Sequence, residues 1–236
     1  MGLTADHHYY RSVDLGMVLV LQHTSQPVME HKRVNDGGRI FRSPTLEWLT
    51  RTHIAFPLSV FYGMAVFSMW YGVQRLQLAP LLLLVLLLSG LLFFTWVEYT
   101  VHRRFYHMRT DSPRKARVQY VFHGVHHEHP RDRRRLALPP LMSVLVAGAF
   151  VGIFRMLLGP MGIVLGGGFL MGYATYLLIH YAIHVYPPPR NMLAALWKHH
   201  NLHHYVGDTA GFGVSSPFWD LVYGTMPAEP RTRPGK

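Results

Sequence analysis

The stretches "HGVHH", residues 123–127, and "HNLHH", residues 200–204, share one spacing, with histidine at i, i+3 and i+4. Two pairs accompany them: His102 with His107, and His180 with His184. On a helix, residues i, i+3 and i+4 lie on one face, so each triplet (His123, His126, His127; His200, His203, His204) is expected to present its three imidazoles together. His180 and His184 share a face by the same rule. His102 and His107 are five apart, roughly 140° around an ideal helix, and are expected to address different points of a site. His199 has an i+4 partner in His203, but the triplet spacing favours His200.

Ten grouped imidazoles are too many for one ion and about right for two. All-imidazole ligation suits zinc, iron or copper and excludes calcium and magnesium. Zinc has no redox chemistry, so the metal decides between hydrolysis and oxygen activation. There are no cysteines, hence no thiolate ligand and no disulfide. Glu98, one turn before His102, and Asp220, beyond the last cluster, fit as acceptors for imidazole N–H groups. The scattered histidines His7, His8, His23, His31, His53 and His129 read as ordinary solvent or interface residues.

Four apolar runs must position these groups: Ile54 to Val73, Leu78 to Tyr99, Leu141 to Leu158 and Met161 to Tyr186. Each is about long enough to cross a ~30 Å hydrocarbon core. The expected fold is an all-α integral membrane protein with four transmembrane helices and a cytoplasmic helical cap holding a histidine-rich dimetal site. Pro80, the pair Pro139-Pro140 and the pair Gly159-Pro160 punctuate the runs, and the glycines at 166–168 and 172 suit close helix packing. Residues 1–53 read as a cytoplasmic arm ending in an interfacial helix, "SPTLEWLTRTH", with Ser43 as N-cap and Pro44 in the first turn. Residues 54–236 read as the membrane-embedded domain.

Net charge is +11, and its placement matters more than its sum. Lys and Arg number six in 1–54, one in 55–101, ten in 102–138, one in 139–186 and five in 187–236. With four crossings, the two tails and the central loop share one side, which the positive-inside rule makes cytoplasmic. This places both termini and the metal site on the cytoplasmic face of an inner membrane or the endoplasmic reticulum. A basic stretch such as "RDRRR" beside a bilayer answers to anionic headgroups, so nucleic acid is not expected as a partner. The N-terminus shows no secretory signal: "LGMVLVL" is short and no small-residue cleavage site follows.

The four boxes resemble the fatty acid hydroxylase superfamily, related to sterol desaturases, and within it the fatty acid 2-hydroxylases. "FTWVEYTVHRRFYH" (94–107) is similar to that family's first histidine box, and "FHGVHHEHPRDRRRLALPP" (122–140) to its second. "GYATYLLIHYAIH" (172–184) resembles the third, and "KHHNLHHYVGDTAGFGVSSPFWDLVYGT" (198–225) the last with the segment after it. The resemblance implies a dimetal, O2-dependent membrane monooxygenase placing a hydroxyl on C2 of an acyl chain. It matches the family's ten ligands to His102, His107, His123, His126, His127, His180, His184, His200, His203 and His204. Tyr176, with Leu177, stands where the family usually has Tyr-Asp, and Tyr176 is expected close behind the ligands. The box also continues His184-Val185, where a second histidine is common.

The implied cofactors are two metal ions, iron for activity with zinc possible on isolation, together with O2 and an external electron donor. Many relatives carry an N-terminal cytochrome b5 domain with a His-Pro-Gly-Gly motif. That motif is not found here, so the expected donor is a separate protein of cytochrome b5 or ferredoxin type. The lipid substrate would come from the bilayer, with Trp96, Tyr176 and Phe212 as candidate liners of its path. Arg103, Arg104 and the basic run 131–135 are candidate holders of a headgroup or carboxylate. The alternatives are an acyl or sterol desaturase or other lipid oxidase of the same superfamily, a zinc-binding membrane transporter, and a hydrolase using zinc-bound water.

Overall fold

The structure, a computed structural model, describes residues 39–228. Most of the arm expected over 1–53, including His7, His8, His23 and His31, lies outside the described residues. Nine α-helices are described: α1 Pro44–Leu49, α2 Ala55–Gln74, α3 Pro80–Val101, α4 Pro113–Gln119, α5 Val125–Glu128, α6 Pro140–Leu158, α7 Met161–Val185, α8 Ala194–Tyr205 and α9 Phe218–Tyr223. Two π-helical turns, His102–Tyr106 and Tyr120–Gly124, continue α3 and join α4 to α5. No strand occurs among the described residues.

Four helices are long and apolar enough to cross a membrane: α2, α3 with its π-turn, α6 and α7. Their bounds fall within a few residues of the apolar runs, and the chain is an integral membrane protein. Pro80 and Pro140 sit in the first turns of α3 and α6, where a missing N–H costs nothing. Leu81, Met156 and Leu157 are about three-quarters exposed on the outside of the bundle, as lipid-facing residues must be. Inside it, Ser68 donates to the carbonyl of Met64, Ser143 to Pro139 and Thr175 to Met171. These hydroxyls are thus satisfied within their own helices, as a medium without water requires.

Helix α7 is the central member and packs against α2, α3 and α6. A Cβ added at Gly168 would collide with the backbone of Leu87, and one at Gly90 with the carbonyl of Leu165. The α3 and α7 backbones are therefore in direct contact at two reciprocal points, the small-residue packing expected within a bilayer. Above these points Phe94, Phe150 and Phe169 fill the core, with ring centroids 5.2 Å (Phe94–Phe169) and 4.4 Å (Phe150–Phe169) apart.

Helix α1 forms as its sequence suggests: the Ser43 hydroxyl accepts from the Leu46 N–H, and Pro44 opens the first turn. Its Glu47 is buried and accepts from the N–H groups of Ile40 (2.9 Å) and Phe41 (3.1 Å). Arg51 and Arg135 pair with the same carboxylate, and Thr52 N–H donates to the carbonyl of Arg134 at 2.8 Å. The segment before α2 is thereby tied to the loop before α6.

Candidate metal centre

All ten grouped histidines meet where α3 and α7 end, and they divide into two fives. His102, His107, His123, His127 and His203 form one; His126, His180, His184, His200 and His204 form the other. Within each five, the candidate ligand nitrogens all lie within 4.8 Å of one another.

This division departs from two expectations. His102 and His107 do not address different points: they join the same five. The turn between them is π-helical, with His107 N–H donating to the His102 carbonyl at 3.1 Å, so residues five apart come to one side. Nor does either triplet present its three rings together. His123 and His127 enter the first five while His126 enters the second; His200 and His204 enter the second while His203 enters the first. An i, i+4 pair shares a face closely enough to meet at one point, and the i+3 residue is offset toward the neighbouring point. The two fives are consequently contiguous, with the His127 and His204 rings stacked at 4.2 Å.

The nitrogen geometry fits bound cations. In the first five, Nδ1 of His102 lies 2.6 Å from the carbonyl of Phe212, and Nδ1 of His203 lies 2.8 Å from that of Ala210. A carbonyl only accepts, so both Nδ1 atoms carry the proton and both Nε2 atoms offer a lone pair. Nε2 of His123 sits 3.0 Å from Nε2 of both His102 and His127, while Nε2 of His107 and His203 are buried without a hydrogen-bond partner. In the second five, Nε2 contacts run from His126 to His180 (3.0 Å), His184 (3.2 Å), His200 (2.9 Å) and His204 (3.0 Å) in turn. Converging lone pairs of this kind are satisfied together by a cation and not by one another.

Burial favours the neutral imidazole that ligation needs. It pushes His107 down to about 3, with His203 adding to the effect, and His127 to about 3, with His203 and His107 adding. His123, His126, His200 and His204 are driven well below the usual histidine range, first by burial and then by their neighbours.

Glu98 and Asp220 are both buried at the site but hold no grouped imidazole. Glu98 accepts from the N–H groups of Val214 (2.6 Å) and Ser215 (2.9 Å) and from the Ser215 hydroxyl. Asp220 accepts from the N–H groups of Phe212 (2.9 Å) and Gly213 (2.7 Å) and from the Thr225 hydroxyl (2.8 Å), and lies 3.0 Å from Nε2 of His199. His199 thus stands outside both fives, partnered by a carboxylate. Asp220 therefore meets an imidazole, that of His199, and Glu98 meets none; the Nδ1–H groups of His102 and His203 donate to carbonyls of the loop these carboxylates hold.

Each five has one tyrosine lying nearly parallel to a ring: Tyr176 on His180 (5.5 Å, 9°) and Tyr106 on His123 (4.8 Å, 12°). Tyr106 escaped the sequence reading, although it directly precedes His107. Phe212 packs its ring against His102, His107 and His203. Trp96 donates to the Tyr223 hydroxyl at 3.2 Å. Beside His107 is a cavity of about 440 Å³ lined by Arg103, Gln119, Asp208 and Phe212 among others. The Arg103 guanidinium donates to the Tyr99 hydroxyl at 2.9 Å. His129 and His53 are exposed and join neither five.

Four apolar spans carrying a polyhistidine centre at one end define an integral membrane protein built around candidate metal sites. Residues 87–225, which contain all four histidine boxes, match the fatty acid hydroxylase family, and the chain belongs to that family of oxidoreductases. It is 32% identical over 229 residues to the dihydroceramide fatty acyl 2-hydroxylase FAH1 of Arabidopsis thaliana, covering 92% of this chain and 94% of the relative. It is 33% identical over 196 residues to the fatty acid 2-hydroxylase of Mus musculus, covering 81% of this chain and 45% of that protein. The solved structure of full-length scs7p, in which only the hydroxylase domain is visible, superposes with a TM-score of 0.71 at 30% identity, covering 80% of this chain and 72% of that one.

Proposed function

We propose that this chain is an O2-dependent membrane monooxygenase that hydroxylates C2 of a fatty acyl chain, free or carried in a sphingolipid or another lipid. The observation that carries the reading is the division of ten imidazoles into two fives, with ligand nitrogens converging within 4.8 Å. The names of the relatives, fatty acyl and fatty acid 2-hydroxylases, support C2 as the carbon and an acyl chain as the substrate.

In this reading all ten grouped histidines are ligands, with Glu98, Tyr176 and Asp220 behind them. A bound pair of iron ions would supply the activation of O2, and zinc would compete for the same imidazoles on isolation. One oxygen atom enters a C–H bond and the other leaves as water, with two electrons and two protons delivered from outside. The electrons come from a separate protein of cytochrome b5 or ferredoxin type. The chain's own part is to keep ten imidazoles neutral, to fix the Nδ1 protons of His102 and His203, and to cover the first five with the Phe212 ring. The centre lies where the spans end, so an acyl chain held in the bilayer reaches it while its headgroup stays at the surface. The positive charge of the central loop and the tails supports a cytoplasmic side for this end and for both termini.

The test is lipid mass spectrometry of a host expressing the chain, under ordinary and heavy-isotope O2. A 2-hydroxy acyl product carrying one labelled oxygen is expected. A product that has lost two hydrogens and gained no oxygen would make the chain a desaturase instead.

A further inference from the structure

Four consecutive backbone N–H groups, Phe212 to Ser215, are all received by two buried carboxylates: the first two by Asp220 on α9, the last two by Glu98 on α3. The loop is further pinned by Gly211 N–H to the carbonyl of Thr225 (2.8 Å), and Gly211 takes a positive φ of 75° that suits glycine. A Cβ at Gly213 would collide with the carbonyl of Ser216 and crowd the Asp220 carboxylate at 3.0 Å. The same loop offers the carbonyls of Ala210 and Phe212 to Nδ1 of His203 and His102. Both rings belong to one five. In the other, the Nδ1 atoms of His200 and His204 are buried with no hydrogen-bond partner among the described residues.

We infer that the two fives are unequal metal sites, and that Glu98 and Asp220 are positioning residues which, through the 210–215 loop, make the His102 five the tighter one. The inference rests on the ligand reading above. The physical reason is pre-organisation: a ring whose tautomer and orientation are already fixed has less freedom to lose when it ligates, and outer partners of this kind typically change metal affinity by about 10–100-fold.

The test uses the full chain in detergent, stripped of metal and titrated with cobalt(II) alone, with bound ion followed by visible absorption and elemental analysis. His180→Ala disables the second five and leaves the loop-held one; His123→Ala does the reverse. The His180→Ala protein is expected to bind its cobalt about tenfold more tightly than the His123→Ala protein. Asp220→Asn keeps the side-chain shape but turns one acceptor into an NH2 group facing backbone donors. It is expected to weaken cobalt binding about 10–100-fold in the His180→Ala background and by less than about twofold in the His123→Ala background. Equal weakening in both backgrounds, or the opposite order of affinities, overturns the inference. If Asp220→Asn fails to give monodisperse protein, Ser215→Ala is read in the same two backgrounds. It removes one hydroxyl from Glu98, and a change in both or in neither overturns the inference. An unsubstituted protein that binds fewer than two cobalt ions overturns the ligand reading itself, and this inference with it.

Discussion

His102 and Phe212 are 110 residues apart in the chain, yet the Nδ1–H of one donates to the carbonyl of the other across 2.6 Å. That bond joins the end of a membrane span to a loop near the C-terminal end of the described chain. It also settles which nitrogen of His102 faces the centre.

Two metal ions per chain are expected. The ten imidazoles form two complete fives with no ligand atom shared between them. Elemental analysis of detergent-purified protein should find close to two equivalents, zinc and iron together. One equivalent or none would mean that the fives do not act as two sites. Zinc alone would be compatible with an oxygenase, since zinc stands above ferrous iron in the general affinity order.

His126→Ala should abolish product formation, whereas His129→Ala should leave most of it. The two lie three residues apart. His126 is buried, with its Nε2 3.0 Å from that of His180, while His129 is exposed beyond the end of α5. Mass spectrometry of 2-hydroxy acyl product at matched membrane levels decides. Equal activity in the two variants would show that the site is drawn wrongly.

Gly168→Ala should cost about 1–3 kcal/mol of stability, because its methyl group meets the backbone of Leu87 and not a side chain that can turn away. Gly148→Ala has open space around its Cβ and should be neutral or gain up to about 1 kcal/mol from helix propensity. Thermal unfolding of both in the same detergent makes the comparison. A Gly168→Ala protein as stable as the parent would mean that α3 and α7 are not in backbone contact.

Stability should fall as pH drops below about 4.5, in part through Glu47. Burial alone would raise its pKa, but the Phe41 and Ile40 N–H groups, with Arg135 and Arg51, hold it below the usual value. A carboxylate whose folded pKa is depressed contributes stability that is fully present above its unfolded pKa. That contribution disappears as pH falls through the folded value. Glu47→Gln should therefore be less stable at pH 7 by about 2 kcal/mol and lose less on acidification. Parallel pH profiles for the two proteins would remove Glu47 from the explanation.

Much of this was legible in the residue order. Apolar runs of about 20 residues with at most one charge leave few alternatives to a membrane span, and Pro80, Pro140 and Ser43 mark helix starts for local reasons that tertiary structure did not override. The membership of the two fives was not legible. Helical-wheel arithmetic assumes an even turn, and the π-helical turn at His102–Tyr106 breaks that assumption where it matters. The partners of Glu98 were not legible for a different reason, whereas Asp220 does lie beside an imidazole, that of His199. The place of Glu98 one turn before His102 suggests an imidazole partner, but its donors are N–H groups of a loop 116 and 117 residues away. No local pattern encodes a contact across that separation.

Each five draws on three of the four boxes, and both need the last one: His203 for the first, His200 and His204 for the second. A chain synthesised from its N-terminus has completed all four spans by Val185, before any residue of that box exists. Synthesis of the spans and completion of the two fives are thus separated in time by the order of the sequence. A chain interrupted between residues 186 and 199 would still carry every span yet hold neither five complete. Such a fragment would be a lipid-embedded bundle holding four histidines of the first five and three of the second.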